Sequence, residues 1–142
     1  MKHYFGWLVL AIIAVVSLGV YYFLKYQKTS GLIFYSDTNN QSSFYYPKNY
    51  LVSQETVTFF ESIKDDSRFS FQYFNSNDSS LYLNNEEQKI IKSGQNVQYG
   101  QNNYLTDQAT NNFIFQKDDF YYIFRFTPEF VQKSVILSSF KP

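Results

Sequence analysis

Glu55 or Glu61, within "QETVTFFES", is the carboxylate that could serve in a glycan-cleaving cleft. That chemistry needs two carboxyl groups about 5–10 Å apart across a groove, in environments that separate their acidities. The pairs Asp65-Asp66 and Asp118-Asp119 are instead adjacent within turn-like sequence, where solvated turn positions account for them. "NSNDSSLYLNNE", residues 75–86, has the length of a calcium loop with Glu86 at its end. It lacks the first-position Asp and the central Gly that the ion geometry and the sharp bend require. Ser42-Ser43 and Ser138-Ser139 have no histidine to activate them, because the single histidine is His3 at the amino terminus. There is no cysteine, which removes disulfides, thiolate nucleophiles and Cys-based zinc sites. The five glycines are scattered and form no phosphate loop. The expectation is no catalytic residue, no metal ligand set and no cofactor.

Ring stacking is the remaining chemistry. "FYYPKNY", residues 44–50, crowds aromatics around a proline, as a sugar-binding platform would. Alternation along the strand turns Phe44 and Tyr46 inward and leaves Tyr45 and Tyr50 as the candidate exposed aromatic patch. The aromatic share of 22% also has a compositional cause, since Phe, Tyr, Asn, Lys and Ile share A/T-rich codons.

Formal charge is +0, from twelve basic and twelve acidic side chains without a long run of either sign. That excludes the basic footprint of a nucleic-acid binder. The strongest pattern is "YFGWLVLAIIAVVSLGVYYFL", residues 4–24, which holds no charged residue and no proline. As a helix rising about 1.5 Å per residue it spans roughly the 30 Å of a hydrocarbon core. Tyr4 and Trp7 at one end, and Tyr21 and Tyr22 at the other, are rings of the kind that settle among headgroups. Residues 1–3 read as a tail, 4–24 as a transmembrane helix in contact with the lipid bilayer, 25–30 as a short linker and 31–142 as one domain. The helix carries no ionisable residue and no GxxxG, so it reads as a plain tether. The alternative is a signal peptide: Lys2 begins it and Ser17-Leu18-Gly19 offers small residues near a cut before Val20. Lys2 and the α-amino group balance Lys25 and Lys28, so the charge rule gives a near tie on orientation. The usual layout of a signal anchor places the domain outside the cytoplasm.

Short aromatic and β-branched runs alternate with Asn, Ser, Asp and Gly clusters from Gly31 onward. "GLIFYS", "SSFYYP", "NYLVSQ", "TVTFFES", "RFSFQYF", "NYLTDQA", "NFIFQK" and "DFYYIFRF" read as strands. Hairpins are expected at Asp65-Asp66 and Asp118-Asp119. In "RFSFQYF", Phe69, Phe71 and Tyr73 share one face; "FYYIFRF" is apolar on both faces, as a central strand is. One helix is expected to start at Asn85 with Gln88 closing a capping box, and to stop at a C′ Gly94. A second is expected from Thr127 as cap, through Pro128 and Glu129, to Phe140. The fold class is α+β, an antiparallel β-sheet flanked by helices.

Phe44, Tyr46 and Pro47 at the opening of the domain, with Ile136 to Phe140 in the closing helix, resemble the PsbP-like fold over roughly residues 34–140. The resemblance implies an antiparallel sheet sandwiched by helices, in small membrane-anchored bacterial proteins. Members usually carry a tryptophan shortly after the Tyr-Pro pair, where this chain has Tyr50. Known relatives are binding or assembly subunits, and no residues here match their sites. The functional expectation is a single-pass protein of the cell membrane with a non-enzymatic, extracytoplasmic binding or assembly domain. Its partner would be an envelope protein or a glycan, and not a nucleic acid. The alternatives are the carboxylate hydrolase, a secreted domain, or a domain on the cytoplasmic side.

Overall fold

The computed structural model describes residues 13–22, 30–39, 42–56, 58–107 and 109–142. The chain divides into two compact units, Met1–Leu32 and Ile33–Pro142. In the first, residues 13–22 form a helix, α1, and all ten are exposed. Tyr21 and Tyr22 meet edge to face at 5.7 Å. Tyr4 and Trp7 lie outside the described residues, as does most of the linker.

The second unit is α+β. Its strands are β1 (Leu32–Ser36), β2 (Ser43–Pro47), β3 (Leu51–Glu55), β4 (Phe59–Lys64), β5 (Ser67–Asn75), β6 (Gln95–Tyr99), β7 (Asn102–Thr106), β8 (Asn112–Lys117) and β9 (Phe120–Phe126). The helices are α2 (Ser79–Tyr82), α3 (Asn85–Ser93) and α4 (Lys133–Ser139). Seven strands form one antiparallel sheet in the order β3-β4-β5-β9-β8-β7-β6, and β1 pairs with β2 separately. Two meanders, β3–β5 and β6–β9, therefore meet along the β5/β9 seam. The connection from β5 to β6 carries α2 and α3 over one face.

Register decides which side chains reach which layer, because opposed residues of an antiparallel pair share a face. Phe71 opposes Phe124, which opposes Phe113, and all three are buried. They join Phe44, Phe60, Phe69, Tyr104, Phe130, Ile136 and Leu137 in the larger core, beneath β2 and α4. One residue along, Gln72 opposes Ile123 and Ile123 opposes Ile114. Ile123 and Ile114 pack with Phe74, Leu83 and Ile90 in the smaller core under α2 and α3. Strand β9 is thus covered on both faces, as its sequence indicates.

The hairpin turns fall where expected. Asp65 (φ 53) and Asp118 (φ 52) each open a two-residue turn, closed by the pairs Lys64–Ser67 and Lys117–Phe120. Asp tolerates this left-handed backbone better than most side chains do.

Helix boundaries differ from expectation in three places. The α3 cap is Asn84, not Asn85: Asn84 Oδ1 accepts from Glu87 N at 2.8 Å, and Glu87 Oε2 accepts from Asn84 N at 3.0 Å. Both candidate caps are asparagines, and the reciprocal box closes on the carboxylate rather than on Gln88. Gly94 is the C-cap residue with φ −68, not a left-handed C′ glycine. It is small because a Cβ there would lie 2.4 Å from the carbonyl oxygen of Ile90. The closing helix starts at Lys133 instead of after Thr127, because the Thr127 hydroxyl has another partner. Arg68 N donates to Thr127 Oγ1 at 3.0 Å, and Thr127 N donates to Arg68 O at 3.0 Å, extending the β5–β9 ladder. Residues 127–130 then turn, with Phe130 N donating to Thr127 O, and deliver Phe130 into the core.

Candidate functional site

Strands β1 and β2 form a ribbon whose inner face is Tyr35, Phe44 and Tyr46, all buried against the main sheet. Alternation puts Phe34 and Tyr45 on the outer face, where their rings meet at 5.2 Å. Phe34 is 55% exposed. The ribbon is fixed from the carboxyl-terminal side. Ser43 and Lys141 exchange backbone hydrogen bonds of 2.9 and 2.8 Å, and Tyr45 N donates to Ser139 Oγ at 2.9 Å. Because Ser43 and Lys141 are a directly opposed pair, the exposed Lys141 side chain stands on the face that bears Ser43 and Tyr45.

The expected patch of Tyr45 with Tyr50 is corrected by this geometry. Tyr45 is half-buried on the outer ribbon, whereas Tyr50 is buried, its ring 4.9 Å from Phe130 and its hydroxyl 2.6 Å from Ser67 Oγ. The turn after Pro47, closed by Tyr50 N donating to Pro47 O, swings Tyr50 onto the core face. The ring beside Tyr45 is Phe34, which sequence reasoning passed over. The signal was present in "GLIFYS": with Tyr35 inward, Phe34 must face outward.

The carboxylates do not assemble across a groove. Glu55 opposes Phe60 and therefore shares the face of the larger core, while Glu61 opposes Ser70 on the other face. Glu61 accepts from Ser53 Oγ at 3.2 Å. Residues 76–82 of the loop-length acidic stretch form a 3-10 turn and α2. Ser42 Oγ donates to Asp37 at 2.7 Å, and the Ser138 and Ser139 hydroxyls donate to carbonyls one helical turn back. Among the described residues, no group of three or more Asp, Glu, His or Cys side chains could hold a metal ion.

Two polar arrangements are built into the fold. On the α3 face, Arg125 grips Glu87 through Nε to Oε1 at 2.5 Å and Nη2 to Oε2 at 3.1 Å, and its Nη1 donates to Gln72 Oε1 at 3.0 Å. On the opposite face lies a layer of tyrosine hydroxyls. Burial raises the pKa of Tyr35, Tyr46, Tyr73, Tyr104 and Tyr122 above the usual phenol value; Glu55 adds to the effect at Tyr35 and Tyr46, and Asp37 at Tyr35, Tyr73 and Tyr122.

Clefts open at the surface of the described residues. One of about 230 Å³ lies between α2, α3 and β9, lined by Ser79, Leu83, Gln88, Ile91, Lys92 and Tyr121. Another of about 410 Å³ runs along the outer β3–β4 edge over Leu51, Val52 and Ile63. Neither gathers converging polar groups around an activated nucleophile. No family model, no curated protein and no solved structure matches the chain.

Proposed function

We propose that this chain is a single-pass membrane protein whose α+β domain works outside the cytoplasm as a non-enzymatic binding or assembly module. The observation that carries this reading is the first unit. Among the described residues no helix is long and apolar enough to cross a membrane, but α1 is the described part of the uncharged run 4–24. Its Ile13, Val15, Val16, Leu18 and Val20 are each more than half exposed. Apolar surface left in water costs about 25 cal/mol per Å², and a bilayer removes that cost on every side of the helix at once.

The domain is proposed to be PsbP-like. The two stretches that carry the resemblance meet in space: Phe44 and Phe140 both pack on Phe124, at 5.7 and 5.0 Å, and Ser43 pairs with Lys141. The non-enzymatic reading is supported by Glu55 and Glu61 standing on opposite faces of the sheet and by hydroxyls committed to backbone and carboxylate partners.

The test uses the chain's lack of cysteine. Gln101 is exposed in the β6–β7 turn, so Gln101→Cys in the full chain presents one thiol. The expected result is labelling of intact cells by a membrane-impermeant maleimide, with the protein resisting carbonate extraction. Labelling only after lysis overturns the outward placement. A soluble form beginning near Val20 overturns the tether. Turnover of a glycan, peptide or ester by the purified protein overturns the non-enzymatic reading.

A further inference from the structure

We infer that the outer face of the β1–β2 ribbon is a docking face for the bilayer surface, with Phe34 and Tyr45 entering the headgroup region and Lys141 meeting anionic headgroups. The inference rests on the tether proposed above and specifies which side of the domain the lipid meets.

Chain length comes first. From Leu24, the last apolar residue of the uncharged run, to Leu32, the first of β1, are eight residues, which span at most about 28 Å when fully extended. With the tether in the bilayer, that length bounds how far β1 can stand from the headgroups.

Side-chain chemistry comes second. Most aromatics of this domain are consumed by the core, but Phe34 stays 55% exposed, with the Tyr45 ring tilted against it at 5.2 Å. An aromatic body with a polar edge suits the lipid interface, where Tyr is enriched. Charge comes third. Lys141 projects from the same face, and neither β1, β2 nor residues 140–142 contain an Asp or Glu side chain. A cation on the face that bears the rings, with no side-chain carboxylate on the strands, complements an anionic surface.

The test reconstitutes the full chain in vesicles of phosphatidylcholine, with and without phosphatidylglycerol. Ser43→Cys places a thiol on the docking face while keeping both rings, and Gln101→Cys serves as the reference; each carries an environment-sensitive fluorophore. The expected result is blue-shifted emission at position 43, quenching by nitroxide-labelled lipid, and shielding from aqueous iodide, all absent at position 101. Phe34→Ser with Tyr45→Ser should abolish the lipid quenching at position 43, and Lys141→Glu should weaken it only in the anionic vesicles. Unchanged near-ultraviolet dichroism shows that these surface variants stay folded. Iodide access equal at both positions in carbonate-resistant protein overturns the docking face and leaves the tether standing, whereas protein extracted by carbonate overturns the tether itself. Shielding at position 43 that grows with protein concentration, without lipid quenching, assigns the face to a second copy and also overturns the inference.

Discussion

Arg125 and Glu87 form a two-pronged ion pair between β9 and α3, and the same carboxylate closes the capping box at the start of α3. Glu87 is wholly buried, while a quarter of the Arg125 side chain still meets solvent. One carboxylate thus starts the helix and fixes it to the sheet. Desolvating Glu87 is tolerable because Arg125 and Asn84 N between them engage both of its oxygens.

Removing the carboxylate should therefore cost more than removing the pair. Glu87→Ala is expected to destabilise the domain by about 3 kcal/mol, the lower end for breaking a buried pair, since Arg125 can reach water. Glu87→Leu combined with Arg125→Met should recover most of that loss. Urea unfolding of the full chain in mild detergent reads both. A double variant weaker than Glu87→Ala would show that the pair adds net stability instead of organising α3.

The tyrosine layer predicts sensitivity to alkali. Tyr35, Tyr46, Tyr73, Tyr104 and Tyr122 all have a pKa raised in the folded state, with burial the leading cause. A raised value means that the unfolded chain loses its phenol protons first. The stabilisation is complete below the unfolded value near 10 and is lost as pH climbs from there through the folded values. Absorbance at 295 nm should show these phenols ionising together with the loss of near-ultraviolet dichroism. Smooth ionisation of every tyrosine near pH 10 in folded protein would contradict the buried layer.

Two of those hydroxyls should respond oppositely to deletion. Tyr104 OH donates to Leu137 O at 2.7 Å and ties β7 to α4. Tyr73 OH is buried near Asp37 and Asn39, and among the described residues it makes no hydrogen bond in good geometry. Removing a satisfied buried hydroxyl costs roughly 1 kcal/mol, while removing an unsatisfied one relieves a desolvation penalty of similar size. Tyr104→Phe should thus lower the denaturation midpoint and Tyr73→Phe should leave it equal or raise it. A loss of stability in Tyr73→Phe would mean that the hydroxyl has a partner in solution.

What could be read from the sequence was whatever depends on neighbours along the chain. The alternation in β5 names its core face because every second residue there is apolar, and β9 reads as central because both of its faces are apolar. The Asp65 and Asp118 turns are legible because a short carboxylate between two strand-like runs suits a left-handed bend. "QNVQY" was not legible as β6: it is an edge strand, largely exposed, and holds its place through the ladder with β7. Tyr50 was misplaced because the turn at Pro47 restarts the alternation. Thr127 has the chemistry of a helix cap, and only Arg68, 59 residues earlier, shows that its hydroxyl serves the sheet. Glu87 and Arg125 lie 38 residues apart, so their pairing exists only once β9 is inserted beside β5. The ribbon face was half legible: Tyr45 was identified, but its companions Phe34 and Lys141 come from opposite ends of the domain.

Gly100 supplies the sharpest backbone test. It turns β6 into β7 with φ +62, and a Cβ there would stand 2.9 Å from Ser138 O and 3.2 Å from Ser138 Cα. Gly31, at φ +84, has the same left-handed requirement with open space around it. Alanine at Gly31 should cost only the conformational penalty, about 1 kcal/mol. Alanine at Gly100 adds a steric conflict with backbone that cannot rotate away, so α4 must shift from the β6–β7 turn. The expectation is a clearly larger fall in urea midpoint for Gly100→Ala than for Gly31→Ala, together with loosened packing of α4. Faster amide exchange confined to residues 133–140 would report that loosening, and equal midpoints for the two variants would place α4 farther from this turn than the 2.9 Å approach requires.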